Sequence, residues 1–123
     1  MSYDLRLAVK VEDTDEFAVI GQPEHANPTY NLGMMFRACT GWRFEQGKFY
    51  RVSEVYPLIE RGITELALHE DKYITLNPEN GWGNTKNALD VLKSLKEYID
   101  DIEDPHGWSG WNTIPKKYLW VAW

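Results

Sequence analysis

Two short stretches combine glycine and tryptophan in a way that suits ligand contact. The first, Asn80-Gly81-Trp82-Gly83-Asn84, stands directly before a long amphipathic segment. The second, His106-Gly107-Trp108-Ser109-Gly110-Trp111-Asn112, stands directly after it. Glycine lets a backbone turn tightly and approach a ligand closely. A helix start offers unpaired N–H groups and a partial positive charge to a phosphate or carboxylate. An indole beside it could stack on a base or a sugar. Asn80, Trp82, Gly83 and Asn84, with Trp108 and Trp111, are therefore candidates for contact with an anionic, ring-bearing molecule or with a partner. The plainer reading makes Trp82 a staple on the helix and the glycines mere turn residues. A helix of ~18 residues is ~27 Å long at 1.5 Å per residue. The two loops then share one pocket only if the second folds back or if a homodimer brings opposite ends together.

A second group of donors and acceptors lies in His25-Ala26-Asn27-Pro28-Thr29-Tyr30-Asn31. Asn31 suits the cap of a following helix and Tyr30 suits a core anchor. With Arg37, Trp82, Gly83 and Asn84 they could also hold a nucleotide-like signal molecule. A third group is acidic: Glu97, Asp100, Asp101, Glu103 and Asp104 crowd a helix C-terminus. Negative charge there opposes the helix dipole, so the cluster is either a solvated face or a surface shown to a basic partner.

Other chemistry finds little support. His25, His69 and His106 lack the spacing of a metal site, and no metal or cofactor is expected. Cys39 falls on the apolar side of a short helix beside Met35 and Phe36, which suits a buried, inert thiol. Ser53 and Ser109 are not in a nucleophile-elbow setting, and no phosphate-binding glycine loop precedes a lysine. A hydrolase using His25 or His106 with a carboxylate distant in sequence remains an alternative.

The elements that must position these residues follow from periodicity. Leu5, Leu7, Val9 and Val11 alternate with polar or small residues, and Phe17 to Ile20 form a second apolar run after the polar Glu12–Asp15 turn. A hairpin results. A short helix is predicted from Asn31 to Gly41. Trp42–Phe44 and Phe49–Val52 are read as a small hairpin. A second helix, capped by Ser53 and carrying Pro57 in its first turn, runs to Leu66, with Gly62 weakening its middle. Tyr73–Leu76 reads as extended. Ala88, Leu92, Leu95, Ile99 and Ile102 recur at spacings of four and three and define the third helix, capped by Asn84 or Thr85. Tyr118 to Trp123 suit a C-terminal strand beside the first. The fold expected is α+β: a small antiparallel sheet, made of the N-terminal hairpin and the C-terminal strand, packed against about three helices in one domain spanning 1–123.

Six tryptophans and seven tyrosines exceed the usual need of a 123-residue core, so some are expected in a groove or interface. With 13 basic and 19 acidic residues the net charge is −6. That argues against direct binding to nucleic acid, although an acidic protein can imitate a polyanion toward a nucleic-acid-binding partner. Net negative charge also simply keeps a small domain in solution. One cysteine permits no internal disulfide, no apolar run approaches the ~20 residues of a membrane span, and the N-terminus does not resemble a signal peptide. A cytoplasmic location is expected.

Ser2-Tyr3-Asp4, Thr29-Tyr30-Asn31 followed by Met34 or Met35, the proline-containing stretch from Pro57 to Leu66, and Asn77-Pro78-Glu79-Asn80-Gly81-Trp82-Gly83 leading to Ala88-Leu89 together resemble a dispersed group of small proteins encoded by phages, prophages and bacteria. The segment Gly41 to Val52 and the aromatic C-terminal end depart from that pattern. The resemblance implies a fold and a mobile-element origin and supplies no catalytic residues. It implies stoichiometric action: a non-enzymatic binding protein acting on a host or bacterial protein, such as an inhibitor of a host defence system. A sponge for a nucleotide-like signal molecule is the alternative.

Overall fold

The structure, a computed structural model, describes residues 3–11, 13–23, 28, 30–77, 84–103 and 116–123. Strands β1 (Arg6–Lys10) and β2 (Phe17–Gly21) form the N-terminal hairpin. At its turn Asp13 takes a positive φ of 62°, a conformation that aspartate tolerates better than most residues. Thr14 ties the turn down: its hydroxyl donates to the Val11 carbonyl at 2.9 Å and accepts from the Glu16 amide at 3.1 Å. Helix α1 (Gly33–Thr40) ends at Gly41, whose φ of 74° lets its amide reach the Arg37 carbonyl at 2.9 Å. Strand β3 (Phe49–Arg51) runs straight into helix α2 (Val52–Leu68). A single turn, α3 (Glu70–Tyr73), is followed by helix α4 (Thr85–Glu103) and by strand β4 (Leu119–Ala122).

The sheet has the order β2-β1-β4-β3, and every neighbouring pair is antiparallel. The C-terminal strand does lie beside the first, as its apolar run predicts. Residues paired across strands share a face. Leu7, Val121 and Tyr50 are in register on one face, while Ala8, Trp120, Arg51 and Val19 are in register on the other. The first face meets the helices. Leu5, Leu7, Leu119 and Val121 are buried in one cluster with Met35, Phe36, Val52, Ile59, Leu92, Leu95 and Ile99. Helix α2 sits centrally, packing against both α1 and α4.

Gly62 explains how three helices meet. A Cβ built there would come within 2.6 Å of Thr40 Cγ2 and 2.7 Å of Leu92 Cδ1, so glycine is required for close approach of α1 and α4 to α2. The third predicted helix keeps its stripe: Ala88, Leu92, Leu95 and Ile99 are fully buried. Asn84 is its cap, with Oδ1 accepting from the Asn87 amide at 2.9 Å. Thr85, the other candidate, is buried and donates its hydroxyl to Glu70 Oε1 at 2.6 Å.

Four local expectations are corrected. Phe49–Arg51 does not pair with Trp42–Phe44 but with β4; Trp42 and Phe44 are 3% and 2% exposed and fill the core instead. Tyr73–Leu76 is not extended: Tyr73 closes α3 and Ile74–Leu76 form a 3-10 turn, anchored by the buried Tyr73 ring. Ser53 does not cap α2, because the helix begins at Val52 directly from the extended Arg51, and Pro57 falls in the second turn. Asn31 is not the cap of α1, whose N-cap is Leu32, preceded by a 3-10 turn over Tyr30–Leu32.

Candidate functional site

The side chains nominated from sequence divide sharply. Asn80, Trp82, Gly83, Trp108, Trp111 and Asp104, with the side chains of Tyr30 and Glu103, lie outside the described residues, as do His25 and His106. Asn84 is described and serves as a helix cap. Asn31 is exposed. Arg37, also exposed, lays its guanidinium 4.3 Å from the Phe44 ring centroid, a cation–π contact that shields the core's rim. In the acidic group, Glu97 and Asp101 are exposed. Asp100 is not freely presented: it accepts from the Tyr56 hydroxyl at 2.7 Å and from Lys96 at 3.0 Å. The neighbouring carboxylate in turn pushes the Lys96 ammonium pKa upward, first through that hydrogen bond.

Cys39 is buried, and burial pushes its thiol up to about 12. It is overwhelmingly protonated near neutrality and unsuited to nucleophilic attack. His69 is exposed. Among the described residues no group of three or more histidines, cysteines or acids is arranged to hold a metal ion, and no helix is long and apolar enough to cross a membrane.

The aromatic residues form two separate groups. On the helix side Trp123 stacks on Phe44 at 3.7 Å and meets Trp42, Phe36 and Tyr3 edge-on or tilted at 5.3–5.4 Å. Trp42 and Trp123 are thus core residues rather than the groove or interface residues their number suggests. Both indole N–H groups are buried without a hydrogen-bond partner among the described residues. On the opposite face Phe17 stacks on Phe49 at 4.0 Å and meets Trp120 edge-on at 5.0 Å, while Arg51 lies 5.2 Å from the Trp120 ring. Ala8, in register with Trp120 on that face, is fully buried, although these rings stand apart from the main core.

This second face is the candidate site. At one edge of the sheet β2 reads Phe-Ala-Val-Ile-Gly, without a charge or a proline. Val19 and Ile20 are 51% and 37% exposed, and Ala18 between Phe17 and Val19 is exposed as well. The opposite edge, β3, has three residues and carries the exposed Arg51. At the hairpin end the same face opens into a cleft of about 940 Å³, lined among others by Lys10, Arg51, Lys117, Tyr118 and Trp120.

No family model, curated protein or solved structure matches the chain.

None of the residues of this face had been nominated from sequence. A signal was present, because the terminal run alternates: Leu119, Val121 and Trp123 point one way, Tyr118 and Trp120 the other. Arg51 joins Trp120 only through the β3–β4 register, which no local pattern encodes.

Proposed function

We propose that the chain is a non-enzymatic binding protein of phage or mobile-element type, acting stoichiometrically on a protein of the bacterial cytoplasm, with inhibition of a host defence system as one form of that action. The observation that supports this most is β2. Sheet edges carry a row of unpaired backbone groups, and proteins usually blunt them with charge, proline or a very short strand. Here β3 is blunted by its three-residue length and by Arg51, whereas the five-residue β2 carries neither charge nor proline and is interrupted only by a register shift at Ile20 in its pairing with β1. Val19 and Ile20 are exposed there, as Met34 and Leu68 are on the helices. An edge of this kind suits a partner that adds an extended segment as a further strand, with backbone hydrogen bonds supplying affinity and Val19 and Ile20 supplying side-chain contacts.

Affinity capture with the intact chain from a bacterial lysate tests the reading. The expected result is one protein recovered at near-stoichiometric yield, with the free chain monomeric by light scattering. Absence of any such partner would count against the proposal. A dimer of the free chain would place a second copy on the β2 edge instead.

A further inference from the structure

The cleft at the hairpin end of the sheet raises a question of charge. The protein carries a net charge of −6, yet Lys10, Arg51 and Lys117 all line this one opening. Two of them are engaged by no carboxylate among the described residues. Arg51 makes its described contact with the Trp120 ring, and the Lys117 ammonium lies 5.0 Å from the Tyr118 ring. Lys10 meets Asp15 only at 4.0 Å, the outer limit of an ion pair, and that carboxylate is fully exposed. Among the described lining residues Asp13 and Asp15 are the acids, and both belong to the hairpin turn rather than to the sheet face. Two cations elsewhere are held more closely, Lys48 by Glu45 at 2.8 Å and Lys96 by Asp100 at 3.0 Å, whereas Lys72 meets Glu65 only at 3.9 Å.

Aromatic rings next to cations without acid partners define a ligand by its two complementary parts. A planar ring stacks on an exposed aromatic, and an anionic group meets the ammonium and guanidinium. Tyr118 is 57% exposed and offers such a face. The cleft's volume of about 940 Å³ lies in the range of small-molecule sites. A long polyanion would extend beyond the cations onto a surface of opposite character, so the ligand is compact. We infer that this cleft binds a nucleoside phosphate, with the base on Tyr118 and Trp120 and the phosphates on Arg51, Lys117 and Lys10. No β2 residue is among those that line it, so this site and the β2 edge can fail independently.

Calorimetric titration of the intact chain with ATP, the other ribonucleoside triphosphates, adenosine and inorganic triphosphate tests the inference. At least one triphosphate binds, more weakly as salt rises, whereas adenosine and inorganic triphosphate each bind roughly tenfold more weakly or worse. Arg51→Gln, Lys117→Gln and Tyr118→Ala each weaken binding by roughly tenfold with an unchanged thermal midpoint. Asp15→Asn tightens it. Arg43→Gln, an exposed cation that does not line the cleft, leaves it unchanged. Silence across the triphosphates would overturn the inference. So would equal affinity for inorganic triphosphate, or Arg43→Gln and Arg51→Gln weakening binding alike.

Discussion

The two faces of the sheet carry similar residues and treat them differently. On the helix side Trp42, Phe44 and Trp123 are sealed in the core, to the point that two indole N–H groups lack partners among the described residues. On the other side Phe17 stacks on Phe49 and meets Trp120 edge-on, with Arg51 beside the Trp120 ring. Aromatic content alone therefore does not mark a binding surface. What separates the faces is cover. Rings buried under helices stabilise the fold, while the half-buried Phe17, Phe49 and Trp120 rings stand apart from that core beside Arg51.

Truncations on the two faces accordingly differ in cost. Trp123→Ala empties the centre of the core and is expected to destabilise by about 3–5 kcal/mol, read from urea denaturation. A loss below about 1 kcal/mol would mean that the two aromatic groups are equivalent. Gly62→Ala comes next. The added methyl gains about 1 kcal/mol of helix propensity but collides with Thr40 and Leu92, so net destabilisation of about 1–2 kcal/mol is expected. Stabilisation would show that α1 and α4 are less closely seated on α2. At the exposed edge, Val19→Lys is expected to change stability by no more than about 0.5 kcal/mol, since the side chain is half exposed.

Cys39 sharpens the same comparison chemically. Its thiol is raised from 9.0 to about 12 by burial, so the folded state holds the proton more tightly than the unfolded chain. The stability this contributes is complete below pH 9.0 and is lost as pH rises through the window toward 12. Alkylation of the native protein near pH 8 is accordingly expected to be slow and to accelerate on addition of urea. Rapid labelling of the folded chain would place Cys39 outside the sealed side.

Much of this architecture is written in local pattern. The four-and-three spacing from Ala88 to Ile99 marked α4, and alternation in Leu5 and Leu7 marked β1, because amphipathic periods reflect a single buried face. Gly41 ended α1 for a backbone reason that one residue suffices to state. Errors arose where tertiary contact decided. Trp42 and Phe44 look like a strand, but burying two large rings against Trp123 outweighs pairing with β3. The candidate site was illegible for the same reason. Lys10, Arg51 and Trp120 come from three strands, and only the order β2-β1-β4-β3 places them on one face. A bare edge likewise belongs to sheet order, not to the Phe17–Gly21 sequence by itself.

We propose that the side of the sheet away from the main core, with the β2 edge, is where this protein works. The most direct measurement compares the yield of captured partner from a bacterial lysate for the unaltered chain and for a Val19→Lys, Ile20→Lys double variant of the same thermal midpoint. Charge on the edge is predicted to abolish capture while the fold stays intact. Equal recovery of the same partner by both proteins would contradict the account.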